Sequence, residues 1–302
     1  MPNHRQNYLM GLFLVALAAT LFGVAGAVAK ILFISKLSPV QLTAIRAFVA
    51  ALVMFSLIVV VDRKSLVVTK KQFFFLFLLA IVWACVTVTF YLSVSKIDVA
   101  VALTLEYTAP IFVIVFGLFA GTHRFSFHVI WIIIISVVGC ILLTEAYDSI
   151  SLHTDLLGII YGLLSGIAFA IYTLLGNKGH ILGIRSVTMT VYALGISAGL
   201  WLFAIPWLEL SSISLDGPTI GYILFIAIGA TVIPFWIYMA GLKHIDAFPA
   251  TIVGMLDPIS AGLAAYLLLG EVLSGWQMAG MLLVFYVIAS VKFYESKFLT
   301  PA

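Results

Sequence analysis

The chain has 302 residues, of which 64% are hydrophobic and only 9% charged. A soluble domain carries roughly 25% charged residues, so this composition excludes a water-soluble fold and describes a polytopic membrane protein. A net charge of +3 is too small to single out nucleic acid as a partner, and the mean hydropathy of +1.24 points the same way.

In chain order, charges, glycines and prolines divide the apolar sequence into ten candidate spans: Tyr8–Ala29, Val40–Val61, Phe73–Val94, Val99–Ala120, Val129–Thr144, Leu156–Leu175, Val187–Trp207, Thr219–Ala240, Ala247–Leu269 and Gly275–Val291. A bilayer core needs about 20 apolar residues per helix, and most of these runs supply that. The first, preceded by Arg5, also has the outline of a signal peptide. Its apolar run continues to Ala29 and it matches a later helix, so a spanning helix is expected. Every connection is short, and the turn at Lys96–Asp98 is very tight.

Lysine and arginine in the connections set the orientation. With the N-terminus in the cytoplasm, eleven of the fifteen fall inside: Arg5, Arg63, Lys64, Lys70, Lys71, Arg124, Lys178, Arg185, Lys243, Lys292 and Lys297. Lys30, Lys36 and Lys96 fall outside, and Arg46 lies within a span. The connections at Glu145–Asp155, Leu208–Pro218 and Gly270–Ser274 carry acids and no lysine or arginine, as outer loops do. Both termini are expected in the cytoplasm.

The fourth span contains L-T-L-E-Y-T-A-P-I, Leu103 to Ile111: a carboxylate, a phenol and a helix breaker inside a membrane helix. A charge at mid-bilayer costs roughly 2.5–3.5 kcal/mol even on insertion scales, so Glu106 is expected to face water, a ligand or a partner. A displacement of about 148 residues lays Lys96-Ile97-Asp98 on His244-Ile245-Asp246, Ala102 on Ala250, and Pro110-Ile111 on Pro258-Ile259. Asp257 precedes the second proline. Gly11 falls near Gly158 and Phe22 near Phe169. The chain reads as two five-span units, residues 1–148 and 149–302. Five is odd, so the second unit enters the membrane inverted, the arrangement that lets one midplane site open alternately to either side. Glu106 aligns with Gly254 and Asp257 with Ala109, so the two acids are not symmetry mates and suit one asymmetric ligand.

Three helical stripes form a candidate cavity lining. Trp83, Thr87 and Tyr91, with Phe90, lie on the third span. Thr231, Phe235 and Tyr238 lie on the eighth, beside Pro234 and Trp236. Tyr161, Ser165 and Tyr172 lie on the sixth. Aromatic walls with acids suit an ammonium group; the plainer reading of each aromatic is packing or interface anchoring. Asp257 is equally a ligand for a cation and a polar kink beside Pro258. Arg46 is a gate or a clamp for a carboxylate or, on the plainer reading, which is the expectation, a side chain reaching the outer headgroups. Gly158, Gly162 and Gly166, and separately Gly195 and Gly199, have the spacing that lets membrane helices approach closely. Gly195 to Gly199 also reads G-x-S-x-G around Ser197, but the hydrolase elbow needs a strand before it and all six histidines lie at or near loops. No H-E-x-x-H, C-x-x-C or phosphate-loop motif is present. Cys85 and Cys140 lie in apolar runs and no disulfide is expected.

The opening Gly11–Gly23, S-P-V-Q-L-T-A-I-R (Ser38–Arg46), Y-T-A-P-I-F (Tyr107–Phe112) and D-P-I-S-A-G-L-A-A-Y-L-L-L-G-E (Asp257–Glu271) resemble the drug/metabolite transporter superfamily, specifically its EamA-type members, over nearly the whole chain. The first unit departs at one corner, with Thr122-His123 where the second has Gly270-Glu271. The resemblance implies a carrier of small metabolites, often an amino-acid exporter, with no cofactor. It also implies a cavity walled by the first, third, fourth, sixth, eighth and ninth helices.

The expectation is a multi-pass protein of the bacterial inner membrane that moves a small zwitterionic or cationic metabolite, amino acids first and by export, and is not an enzyme. An uptake carrier for a quaternary amine such as choline and a non-transporting membrane subunit are the alternatives. Glu106, Tyr107, Trp83, Thr87, Tyr91, Trp236, Tyr238, Asp257 and Tyr172 are the candidate substrate residues; Pro110, Pro234 and Pro258 are the candidate hinges. The expected partners are the substrate, a coupled proton and the bilayer, without metal or nucleic acid. A homodimer is left open.

Overall fold

A computed structural model describes residues 2–34, 39–120, 126–149, 155–202, 216–270 and 272–298. Among them there is no strand. The predicted loop at 208–215, the Thr122-His123 corner, Lys36, Ser38 and Glu271 lie outside the described residues.

The helices are α1 (Pro2–Ile34), α2 (Pro39–Val61), α3 (Lys70–Val94), α4 (Val99–Glu106), α5 (Ala109–Phe119), α6 (Phe127–Thr144), the single turn α7 (Ala146–Ser149), α8 (Leu156–Ile181), α9 (Ser186–Trp201), α10 (Gly217–Leu224), α11 (Ile233–Gly241), α12 (Ala247–Gly254), α13 (Leu256–Leu269) and α14 (Gly275–Phe298). A π-helical stretch, Phe225–Val232, joins α10 to α11. Eight helical stretches are long and apolar enough to cross a membrane, and Ser186–Trp201 and Gly275–Ser290 are shorter apolar helices. Together they make the ten spans of two inverted five-helix repeats. Span four is α4 with α5, span eight is α10 through α11, and span nine is α12 with α13. The first helix begins at Pro2, ahead of the apolar run, because polar residues continue its hydrogen-bonded ladder beyond the hydrocarbon.

Three spans are interrupted where proline withholds an N–H from the carbonyl four residues back. Pro110 leaves Glu106 unserved, and the helix breaks at Tyr107 and Thr108. The Thr108 hydroxyl turns back to the Leu105 carbonyl at 2.5 Å. Pro258 leaves Gly254 unserved, and the break falls at Met255. The two breaks are 148 residues apart, as the repeat requires. Pro234 follows the wide turn of the π stretch, in which the Thr231 hydroxyl donates to the Ile226 carbonyl five residues back.

The repeats exchange their first helices. α1 packs along α11, α12 and α13 of the second unit, and α8 packs along α3, α4 and α5 of the first. Glycines permit both crossings. A Cβ on Gly166 would lie 2.8 Å from the Leu105 carbonyl, and one on Gly23 would lie 2.2 Å from the Asp257 carbonyl. Each glycine therefore presses a first helix against the break in the other unit. Gly11 against His244 and Ile245, and Gly158 against Lys96 and Ile97, form a second symmetric pair. The Gly195–Gly199 pair does not act this way: among the described residues nothing lies within 4 Å of a Cβ at either position.

The basic end of the bundle is tightly closed. Asn177 Nδ2 donates to the carbonyls of Leu242 at 2.6 Å and Ile245 at 2.8 Å. Thr188 donates to the Ser65 carbonyl and Tyr192 to the Leu66 carbonyl. Arg185 pairs with Asp62 and also reaches the Ser65 hydroxyl. The Ser65 hydroxyl and the Arg185 guanidinium hold the Asp62 carboxyl below its ordinary value. At the opposite end Lys96 bonds Asp155 at 3.1 Å, tying the tight turn to the start of α8. Cys85 and Cys140 are both free thiols.

Candidate functional site: a cavity between two broken helices

Between the two breaks lies a cavity of about 240 Å³. Its wall takes Ala19 and Phe22 from α1, Leu42 and Arg46 from α2, and Trp83, Thr87, Phe90 and Tyr91 from α3. Span four supplies Leu103, Glu106 and Tyr107, and α8 supplies Phe169. Span eight adds Ile226, Ala230, Phe235 and Tyr238, and span nine Gly254, Asp257 and Ala261. Val94 and Val99, at the end of α3 and the start of α4, also line it. The cavity thus reaches toward the end away from the basic residues. Below it, Tyr172 packs against Trp83 with ring centroids 5.1 Å apart, and Phe235 against Trp83 at 3.9 Å. The Tyr238 hydroxyl shares a 3.0 Å hydrogen bond with Thr173.

The two acids sit at the two breaks, where the interrupted ladder brings polar backbone and carboxylate together. Ser165 Oγ lies 2.6 Å from Glu106 Oε2 and 3.2 Å from the Val86 carbonyl, joining α8, α4 and α3 at one point. The Tyr107 hydroxyl is the neighbour of the Asp257 carboxylate, linking span four of one unit to span nine of the other. Arg46 stacks its guanidinium on the Tyr91 ring at 5.4 Å. Most of the remaining wall is aromatic or aliphatic, with Phe22 against Phe235 at 4.5 Å. This is a mainly apolar chamber with a few directed polar groups, the form that small-ligand sites take. Among the described residues no group of acids, histidines and cysteines is arranged to hold a metal.

Seven of the nine candidate substrate residues meet on this wall: Trp83, Thr87, Tyr91, Glu106, Tyr107, Tyr238 and Asp257. Two do not. Trp236 is 44% exposed on the outer surface while Tyr238 is 2% exposed, because residues two apart on a helix point to nearly opposite faces. Tyr172 is on the expected face of α8 but one layer deeper, beneath Trp83, and Tyr161 is also absent from the wall. Pro110, Pro234 and Pro258 lie beside the helix interruptions and not on the wall. Arg46 lines the cavity, which corrects the headgroup-reaching reading; α2 is therefore a seventh wall helix beyond the six expected. Phe22 and Phe169 also line the cavity, beyond the residues expected there. The signal was their own alignment under the repeat, since both face the cavity from symmetric helices. Ser197 is buried within α9 beside Thr43, Thr87 and Thr231, in the middle of a helix and not on an elbow.

A family model described as the EamA-like transporter family matches the chain twice, at residues 9–145 and 156–292. An uncharacterized inner membrane transporter, YicL of Salmonella typhimurium, is 27% identical over 266 residues, covering 86% of this chain and 87% of its own. The threonine/homoserine exporter RhtA of Escherichia coli is 27% identical over 192 residues, 64% of this chain and 62% of that protein. A solved structure overlays with a TM-score of 0.76 at 15% identity, covering 96% of this chain and 97% of its own, and shows a shared fold.

Proposed function

This chain belongs to the EamA-like transporter family, and we propose that it is a secondary transporter of small zwitterionic metabolites, amino acids first, working by alternating access in the inner membrane. The observation that carries this reading is the chamber itself. It is walled by helices of both inverted repeats and holds Glu106 and Asp257 at the two helix breaks. Carboxylates at that depth are costly unless a ligand, a proton or water meets them. Glu106 attracts the substrate amine or carries a coupled proton, and Asp257 supports it from the other unit. Trp83, Tyr91, Tyr107 and Tyr238 shape the chamber. Pro110, Pro234 and Pro258 supply the bends about which it opens.

The hydrogen-bonded end carries the basic residues expected in the cytoplasm, which supports reading this conformation as one that faces outward. An exporter in that state has released its cargo and awaits the return step. The exporter among its relatives, named for threonine and homoserine, favours amino-acid export over choline uptake. The chemistry is binding and release, without a catalytic step.

Reconstitution tests this. Counterflow of labelled amino acids into proteoliposomes should be saturable with wild-type protein. It should fall at least tenfold in Glu106→Gln, while the variant keeps its elution profile and melting temperature. Undiminished flux in Glu106→Gln for every amino acid carried would remove Glu106 from the mechanism.

A further inference from the structure

Arg46 is a cation at membrane depth that no carboxylate of the described residues pairs directly, although its charge acts on Glu106 across the chamber. It sits seven residues into α2 from Pro39, about 10 Å along the helix axis. Among the described residues its guanidinium makes neither a hydrogen bond nor a salt bridge; its one close partner is the Tyr91 ring. Both acids of the chamber are otherwise attended, Glu106 by Ser165 and Asp257 by Tyr107. The guanidinium carbon lies over the Tyr91 ring at 5.4 Å, a cation–π contact that uses none of its N–H donors, and the residue lines the chamber. The chamber it lines is mostly apolar, Leu42, Ile226 and Phe22 among its walls, and Arg46 also borders a small cleft with the hydroxyls of Thr43, Thr87, Ser197 and Thr231; away from bulk water an ionic contact is stronger than in it.

We propose that Arg46 is the carboxylate-binding residue of this chamber. Its fork takes the substrate carboxylate in a bidentate pair, while Glu106 and Asp257 face the ammonium group across the cavity. Under the repeat Arg46 aligns with Leu194, so the cation has no counterpart in the second unit. A substrate with one anionic and one cationic end matches a chamber with a cation on one wall and acids at the breaks. A quaternary amine brings no carboxylate for Arg46 to bind. The substrate class is thereby narrowed to α-amino acids and related zwitterions with a free carboxylate. This rests on the transport reading above and adds the residue that selects the anionic end.

The test compares three ligands on three proteins. A thermal-shift survey of the L-amino acids on purified wild-type protein identifies the tightest binder. That amino acid, its primary amide and its decarboxylated amine are then titrated into wild type, Arg46→Gln and Arg46→Lys. Wild type should prefer the free acid at least tenfold over both analogues. Arg46→Gln should bind the acid at least tenfold, on the order of thirtyfold, more weakly, yet bind the amide within about twofold of wild type. Arg46→Lys, a point charge without the fork, should fall between. A wild type that binds acid and amide alike overturns the proposal without any variant. So does an Arg46→Gln protein that weakens all three ligands equally or keeps the preference intact. Failure of every amino acid to bind would sink the transport reading and the subsite with it. Binding abolished by Glu106→Gln but indifferent to Arg46 would sink the subsite alone.

Discussion

The exchange of first helices makes a sharp prediction at Gly23. A Cβ built there would lie 2.2 Å from the Asp257 carbonyl oxygen, 2.6 Å from the Ala261 nitrogen and 2.7 Å from Ser260 Cβ. Ordinary contact begins at 3.4 Å, so the first of these is short by 1.2 Å. Two of the three atoms are backbone, and no rotamer change moves them. Gly23→Ala must therefore push α1 away from α13 at the second break. Overpacking of this kind costs about 1–3 kcal/mol. At roughly 2–4 °C per kcal/mol, the scale for soluble chains of 150–250 residues, the melting temperature should fall by several degrees. The control is Gly195→Ala, also within a helix but with nothing among the described residues inside 4 Å of the added carbon. It should cost nothing and gain up to about 1 kcal/mol of helix propensity. Both are read by thermal unfolding in detergent, monitored by fluorescence and size exclusion. Equal melting temperatures for Gly23→Ala and wild type, or an equal loss at Gly195, would refute the docking of α1 against the second unit.

The buried Thr173–Tyr238 bond at 3.0 Å closes the floor of the chamber. Thr173→Val strands the tyrosine hydroxyl and should cost about 1–3 kcal/mol, part of which the double variant with Tyr238→Phe restores; denaturant titration checks both. At the cytoplasmic end, the hydroxyl of Ser65 and the charge of Arg185 hold Asp62 below the ordinary carboxylate range. Its contribution to stability is therefore present at neutral pH and lost as pH falls through that lowered value. The melting-temperature gap between wild type and Asp62→Asn should be open at pH 7 and close well below the ordinary carboxylate pKa of about 4. A gap unchanged across that range would remove the Asp62–Arg185 pair from the closure.

What could be read in advance followed from residues that violate the membrane's preferences. Glu106 and Pro110 in one apolar run, with Asp257 and Pro258 in its echo, located both breaks and the chamber between them. Trp83, Thr87 and Tyr91 shared a stripe, and the stripe faced inward. Aromatics without such phasing were harder. Trp236 and Tyr238 are equally apolar and two residues apart, and only the neighbours of α11 decide which one faces lipid. Arg46 looked like a headgroup ligand because a lone cation near a span's end usually is one; the Tyr91 ring and the cavity beside it are tertiary facts. The spacing of Gly158, Gly162 and Gly166 announced a close crossing that exists, and the same spacing at Gly195 and Gly199 meets no partner among the described residues. The spacing says that a helix can approach, not that a helix is there. Those glycines mark a close approach, but which unit α1 and α8 dock against leaves no mark on either helix alone. Nor does the π stretch at Phe225–Val232 announce itself ahead of Pro234.

The most direct measurement is an experimental structure of the protein with a transported amino acid bound. The substrate should occupy the space bounded by Glu106, Asp257, Trp83 and Tyr238, with its ammonium group on the acid side. A substrate seated outside that space, or an empty chamber at a concentration that saturates flux, would contradict the account.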